Sequence, residues 1–191
     1  MTRVRNFTME FVSAAAVLII VAGSGHAVQA GWNPLKEVER RIQPPERINR
    51  RSKPNLSLPE AIHYFTNIER RRHGLPPFRR DQILASTAGG FARYMANTGR
   101  YGHNVDGRTP GQRLQANGYS TRRGWAENID MLYQWQYQNL NVMQTAELHV
   151  RRWMDSPGHR ANILNSSHTY MGVGVCPGNG AGYAVQMFGT D

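Results

Sequence analysis

The chain has 191 residues, one cysteine and a formal net charge of +10, and 40% of its residues are hydrophobic. This length and composition fit one folded domain with an N-terminal extension, and they exclude a collagen-like or a wholly disordered chain. A single cysteine also excludes an intrachain disulfide and a structural zinc site built from several thiolates.

The positive charge is unevenly distributed along the chain. Residues 1–30 carry +1, residues 31–57 carry seven cations and three acids for +4, and the remainder carries +5. Because Arg70, Arg71 and Arg72 are expected at a helix end and other arginines in loops, we predict a solvated basic surface rather than a nucleic-acid groove. The same charge would attract the protein to an anionic cell envelope, such as lipid headgroups or wall polymers.

Residues 1–30 have the pattern of a secretory signal peptide. Arg3 and Arg5 precede an apolar run of twelve residues, 11–22, and Val28-Gln29-Ala30 is a small-residue cleavage site. The alternative, an uncleaved anchor, would need about 20 apolar residues to span a bilayer. We therefore predict secretion, to the periplasm or the extracellular space, with a mature N-terminus at Gly31.

Residues 31–57 differ in composition from the chain that follows. They contain four prolines and seven Lys or Arg but too few apolar residues to bury a core. We predict a basic tether here and a folded domain over residues 58–191.

Four helices are predicted in the folded domain from capping residues and apolar spacing. They begin after Ser57, Asp81 and Thr109 and at about Asn141, and they end before Gly74, Gly99 and Gly118 and at Asp155. Gly89-Gly90 lowers the propensity of the second helix, and we attribute the pair to the close approach of another backbone. The apolar positions predicted to be buried in the second and fourth helices are Ile83, Leu84, Ala88, Phe91, Ala92, Met95, Val142, Ala146, Val150 and Trp153.

Two β-rich runs, residues 170–176 and 183–189, flank a glycine-rich turn and predict an antiparallel hairpin. Gly172 and Gly174 would leave one face of the first strand thin enough for a helix to pack closely. Helices around such strands indicate a layered α/β domain rather than a helical bundle.

Two histidines and one glutamate are the main candidates for chemistry. His103 lies in a glycine-flanked loop and His159 in the turn 156–160, and loops on a rigid scaffold often present functional groups. Glu127 lies in an apolar stretch, where an unpaired carboxylate would be costly to bury, so it needs a partner. Their spacing matches no local metal motif, and a structural hydrogen-bonded cluster is the alternative.

Other side chains have simpler interpretations. We expect His63, His73, His149 and His168 at the surface or at helix ends. Ser156, which precedes Pro-Gly, is typical of a turn rather than of a nucleophile, and Cys176 is expected to be a buried, unreactive thiol.

Several segments occur together in one order between Leu58 and Gly189. They are Asn67-Ile68-Glu69-Arg70, Tyr101-Gly102-His103, Arg113 with Gly118-Tyr119, Ala126-Glu127-Asn128-Ile129, residues 153–164 with Ser156-Pro157-Gly158-His159-Arg160, Gly172-Val173-Gly174-Val175 and Gln186-Met187-Phe188-Gly189. In this order they resemble the CAP superfamily of cysteine-rich secretory, antigen 5 and pathogenesis-related proteins, especially its bacterial branch.

The resemblance implies a three-layer α-β-α sandwich with an antiparallel central sheet and a cleft that collects His103, Glu127 and His159. These three are the implied ligands of zinc or another divalent metal. Ser156 stands where the fuller family tetrad has a second glutamate, so a mechanism with two carboxylates would need Asp155 or Glu147 as a substitute.

We therefore predict a secreted binding module, non-catalytic or weakly catalytic, whose cleft takes a divalent metal. The alternatives are a metal-dependent, peptidase-like hydrolase and a structural protein of the envelope. The resemblance is compatible with a lipid or sterol-like ligand. We expect a monomer with no specific nucleic-acid partner and no transmembrane span in its mature form.

Overall fold

The computed structural model describes residues 55–122 and 124–190. The signal peptide predicted at residues 1–30 and nearly all of the predicted tether lie outside the described residues. The described elements, in chain order, are α1 (Leu58–Arg72), β1 (Arg79–Arg80), α2 (Gln82–Thr98), α3 (Pro110–Ala116), β2 (Trp125–Tyr133), α4 (Gln134–Tyr137), α5 (Val142–Asp155), α6 (Pro157–Ile163), β3 (Tyr170–Pro177) and β4 (Ala181–Gly189).

The predicted helix limits are confirmed because local capping fixes them. The Asp81 side chain accepts a hydrogen bond from the backbone N–H of Leu84 at 2.8 Å, and Gly99 ends α2 with a φ of 69°. Capping boxes begin α3 at Thr109 and α5 at Asn141. Each bond satisfies a backbone group that a helix end would otherwise leave unpaired.

The strands form a sheet of order β1-β3-β4-β2. The pairs β2–β4 and β3–β4 are antiparallel, and the hairpin prediction is confirmed. The sheet as a whole is mixed rather than antiparallel, because the two-residue strand β1 pairs parallel to β3. A strand of two residues carries no periodic pattern, so its direction could not be predicted from the sequence.

Helices cover both faces of the sheet and confirm the predicted α-β-α sandwich. Apolar side chains of α1, α5 and α6 pack on one face, around Ile62, Val150 and Trp153 with Met171 and Phe188. Side chains of α2 and α3 pack on the other face, where the core residues include Leu84, Ala88, Phe91, Ala92, Met95, Leu114, Val185 and Met187.

Gly172 and Gly174 allow α2 to lie directly on β3, as predicted. A Cβ atom at position 172 would be 2.6 Å from the Cα of Ala85, and one at position 174 would overlap the backbone of Ala88 and Gly89. The interpretation of Gly89-Gly90 is different: a Cβ atom at either position would meet no atom within 4 Å. The close approach therefore requires glycine in the strand and not in the helix.

Four elements were not predicted from the sequence, namely β1, β2, α4 and α6. Residues 125–133 form β2, which the pattern did not predict because the buried polar side chains of Glu127, Asn128 and Asp130 interrupt the apolar alternation. The predicted turn at 156–160 belongs to α6, which begins with Pro157 at its first position. Proline has a helix-compatible φ and lacks an N–H that would be unpaired there.

Arg70 contradicts the expectation that all three arginines at the end of α1 are solvated. Its side chain is 1% exposed and donates to the carbonyl oxygens of Pro76, Ile163 and Asn165 at 2.8–2.9 Å. Its guanidinium carbon lies 3.8 Å from the ring centroid of Phe78. Arg70 thus joins α1 to the segment after α6, whereas Arg71 and Arg72 are exposed.

Several burial predictions were wrong for the same reason, namely that periodicity does not show where neighbouring elements end. Val142 and Ile83, in the first turns of their helices, are 44% and 36% exposed. His149 and His168, expected at the surface, are 3% and 5% exposed. Cys176 is half-buried rather than fully buried.

Candidate functional site

A buried ion pair between Glu127 and Arg113 lies at the centre of the candidate site. Nη2 of Arg113 is 2.9 Å from Oε2 and 3.2 Å from Oε1 of Glu127. The Glu127 side chain is 1% exposed and the Arg113 side chain is 5% exposed. The partner that a buried carboxylate requires is therefore the guanidinium of Arg113.

Arg113 also holds the loop that carries His103. Its Nη2 donates to the carbonyl oxygen of His103 at 2.7 Å, and its Nη1 donates to the Asp106 carboxylate and to the carbonyl oxygen of Arg108. The guanidinium carbon lies 3.5 Å from the ring centroid of Phe91 in α2. One side chain of α3 thus fixes the loop against both β2 and α2.

His103 contacts the same carboxylate. Its Nδ1 is 2.8 Å from Oε1 of Glu127, and its side chain is 47% exposed. Because an ionised carboxylate only accepts hydrogen bonds, Nδ1 is the donor, and neutral His103 carries its lone pair on Nε2. Glu127 therefore sets both the tautomer and the orientation of a half-exposed imidazole.

His159 reaches the site from α6 on the other side of the sheet. Burial lowers the pKa of His159, and a positive charge on His103 lowers it further, while the negative charge of Asp130 opposes both effects. The two imidazoles are therefore close enough to interact electrostatically. The convergence of the two imidazoles on one metal-binding cleft, from positions 56 residues apart in the sequence, stays a prediction.

A chain of buried amides positions α6 against the sheet. Asn128 donates to the carbonyl oxygen of His159 at 3.1 Å and to the Gln186 side chain at 3.1 Å, and it accepts from Asn162 at 2.9 Å. Gln186 continues the chain by donating to the hydroxyl of Thr66 in α1 at 2.8 Å. The backbone of His159 is therefore held by β2, β4 and α1 together.

A second buried carboxylate, Asp130, lies one strand position beyond Ile129. It accepts from Nδ1 of His149 at 2.8 Å and from Nε of Arg152 at 3.0 Å. Burial, followed by the charge of Asp130, raises the pKa of Tyr101 to about 12. The charge of Asp130 also raises the pKa of His159, against the effects of burial and of His103.

The suggested accessory residues occupy different places. Glu147 and Asp155 are exposed, and Ser156 links α5 to α6. Within residues 55–122 and 124–190, no hydrogen bond or ion pair joins their side chains to His103 or Glu127. Their accessory role stays a prediction.

The donor set can be compared with what a metal ion requires. No group of three or more His, Cys, Asp or Glu side chains in the described part of the chain is arranged to hold an ion. Glu127 is 1% exposed and already accepts hydrogen bonds from Arg113 and His103, so its carboxylate is suited to orienting His103. Its role as a metal ligand stays a prediction. In known metal sites, a histidine that binds the metal often donates from its other ring nitrogen to a carboxylate. His103 has this relation to Glu127 through its Nδ1.

Arg113 and Asp130 are the site residues that sequence reasoning did not assign. Arg113 stood among the segments of the resemblance without a role, and the unmet need of Glu127 for a partner was the available signal. Asp130 lies three residues after Glu127 in the same stretch, but its partner His149 was expected at the surface.

Comparison with known proteins agrees with this architecture. The family model of CAP, the cysteine-rich secretory protein family, matches residues 63–188. The chain belongs to this family. The match includes every residue of the site described above.

Two Bacillus subtilis (strain 168) proteins are similar to this CAP domain. YkwD is 31% identical over 111 residues, which are 58% of this chain and 39% of YkwD. The membrane protein YlbC is 28% identical over 112 residues, 58% of this chain and 29% of YlbC. The matched part thus spans well under half of each relative.

Solved structures share the fold. An extracellular protein with an SCP domain from Bacillus anthracis str. Ames is 27% identical, with a TM-score of 0.56 over 70% of this chain and 40% of that one. An outer surface protein from Borrelia burgdorferi is 17% identical, with a TM-score of 0.54 over 69% of this chain and 90% of that one, and it shows the fold alone. Across residues 55–122 and 124–190, none of the CAP-domain helices has both the length and the apolar character needed to cross a bilayer.

Proposed function

We propose that this protein is an exported CAP-domain binding module that acts at or outside the cell envelope and whose cleft accepts a divalent metal through His103 and His159. The observation that carries the proposal is the Glu127–His103 hydrogen bond of 2.8 Å. Glu127 thereby orients the half-exposed imidazole of His103 and leaves a lone pair on Nε2 that can bind a metal ion.

The alternative, a metal-dependent hydrolase, has less support from the geometry. Such a mechanism needs a carboxylate that can polarise a water molecule. Both oxygens of Glu127 accept hydrogen bonds from Arg113 or His103, so this carboxylate serves better to orient His103. A bound metal would supply Lewis acidity, and the side chains of the cleft favour binding over turnover.

The test is zinc calorimetry on residues 31–191 and on four variants. We expect His103→Ala and His159→Ala to lose zinc binding, whereas His73→Ala, which changes an exposed histidine at the end of α1, binds as the wild type does. Glu127→Gln should weaken binding by about 10- to 100-fold, the usual effect of removing the partner of a ligating histidine. Circular dichroism must show that each variant is folded.

The pH dependence gives an independent readout. Protons compete with the metal for imidazole, so binding should weaken as the pH falls below about 6.5. Because the pKa of His159 is lowered, its proton competes at a lower pH than that of an ordinary imidazole. Folded histidine variants that bind zinc like the wild type would refute the metal site. No zinc binding by the wild type would leave a structural hydrogen-bonded cluster as the better account.

Export is a separate part of the proposal, supported by the signal pattern of residues 1–30. N-terminal sequencing of the protein recovered outside the cytoplasm should begin at Gly31. Recovery of a chain that retains residues 1–30 would indicate an uncleaved anchor.

A further inference from the structure

Residues 133–142, from the end of β2 to the start of α5, expose aromatic and aliphatic side chains. Trp135 is 70% exposed, Tyr133 51% and Val142 44%. Trp135 lies in the single turn of α4, which is fixed to the β3–β4 hairpin by a 2.8 Å hydrogen bond from the Gln134 N–H to the Gly180 carbonyl. We call residues 133–142 the aromatic segment.

The aromatic segment and the β3–β4 hairpin to which it is bonded contain no charged residue. Residues 131–146 contain no Asp, Glu, Lys or Arg, and neither do residues 161–190, which include the adjoining hairpin. In a chain in which 19% of residues are charged, the exposed part of such runs loses little hydration energy when water is removed.

The start of α1 lies close to the aromatic segment. Leu58, at the start of α1, and Tyr137, in the aromatic segment, line one mainly apolar cavity of about 180 Å³. The described chain begins at Asn55, three residues before Leu58. Residues 31–54, with seven Lys or Arg and three Glu, precede this point in the sequence.

We propose that the aromatic segment docks on a lipid membrane with anionic headgroups, with Trp135 and Tyr133 in the interfacial layer. The net charge of +10 on the chain favours an anionic surface. Tryptophan and tyrosine favour this layer because one part of each ring system is apolar and the other forms hydrogen bonds. Clustered Lys and Arg add attraction to anionic lipids. The exposed aliphatic Val142 fits a lipid surface better than a polysaccharide, which offers it no apolar partner.

This inference rests on the envelope location in the proposed function but not on the metal site. The experiment is co-sedimentation of residues 31–191 with vesicles of equal phosphatidylglycerol and phosphatidylcholine, and with vesicles of phosphatidylcholine alone. We expect binding to the anionic vesicles, a partition coefficient about tenfold lower for Trp135→Ser, and near wild-type binding for Trp135→Phe. Because Trp135 is mostly exposed, these variants should fold.

Two controls separate the possible explanations. Ile83→Ser removes an exposed apolar side chain outside the aromatic segment and should bind vesicles like the wild type. His103→Ala should also bind vesicles normally, so loss of the metal site and loss of membrane docking are distinguishable. Raising the salt concentration should weaken wild-type binding, because surface charge attraction is screened.

Three results would overturn the proposal. The first is equal binding by Trp135→Ser and the wild type, which would mean that charge alone attracts the protein. The second is no binding of the wild type to anionic vesicles. The third is Trp135-dependent binding to purified wall polysaccharide without vesicle binding, which would make the aromatic segment a glycan-binding surface.

Discussion

Gly174→Ala and Gly89→Ala should change stability in opposite directions, although the two glycines face each other across the α2–β3 contact. A methyl group at position 174 would overlap the backbone of Ala88 and Gly89, whereas one at position 89 meets no atom within 4 Å. The same contact therefore forbids a side chain in the strand and tolerates one in the helix.

The expected magnitude for Gly174→Ala follows from the distances. Carbon atoms in contact are normally about 3.5–4.0 Å apart, so α2 would have to move away from the sheet by about 1 Å or more. A gap of that size removes about a quarter to a half of the dispersion energy of each contact that it opens. Leu84, Ala88 and Phe91 of α2 are at most 2% exposed, so we expect a loss of about 3 kcal/mol or more.

Gly89→Ala should raise the free energy of unfolding. Alanine is about 1 kcal/mol more favourable than glycine inside a helix, because the glycine backbone loses more freedom on folding. Nothing in the structure opposes this gain at position 89.

Urea denaturation followed by circular dichroism at 222 nm measures both changes on residues 31–191. The thermal midpoint should rise in Gly89→Ala. In Gly174→Ala it should fall, by about 10 °C for a domain of this size. A loss below about 1 kcal/mol for Gly174→Ala, or a loss of similar size in both variants, would refute the reasoning.

Three further predictions concern buried side chains. Arg70→Met should destabilise the domain by about 3–5 kcal/mol, since it leaves buried carbonyl groups without a donor, while Arg71→Met, at an exposed position, should change urea stability by less than about 0.5 kcal/mol. Burial and the charge of Arg80 lower the pKa of His63 to about 4, so the unfolded chain binds a proton between pH 6.5 and 4 that the folded chain does not. The contribution of neutral His63 to the free energy of unfolding is complete above pH 6.5 and is lost as the pH falls towards 4. Between pH 7.5 and 4.5, the free energy of unfolding should therefore fall by about 2–3 kcal/mol more in the wild type than in His63→Gln. Equal losses in the two proteins would contradict this assignment. Replacing Trp153, which is 1% exposed, by alanine should lower the free energy of unfolding by about 3–5 kcal/mol. A soluble variant with a nearly unchanged thermal midpoint would show that Trp153 does not anchor the core.

Much of the fold could be predicted because its signals are local. A capping side chain favours a helix start within three residues of it, so Ser57, Asp81, Thr109 and Asn141 indicated where four helices begin. The alternation of small and large residues in β3 likewise predicted a thin face. These features depend only on neighbouring residues, which the sequence places together.

The site was predictable only in part, because its partners are distant in sequence. His103, Glu127 and His159 could be named from the resemblance, and the need of Glu127 for a partner followed from the cost of burying a charge. That the partner is Arg113 depends on how α3 packs against β2. The same applies to Asp130, whose contact with His149 crosses 19 residues.

The sequence by itself determined where the main helices begin and end, which strand face is thin, and which residues are candidates for the cleft. Only the tertiary structure decided that Arg70 is buried, that β1 is parallel, and that Gly174 rather than Gly89 is the glycine required by packing. The physical reason is that burial and steric overlap depend on neighbours brought together by folding, whereas caps and periodicity depend on neighbours along the chain.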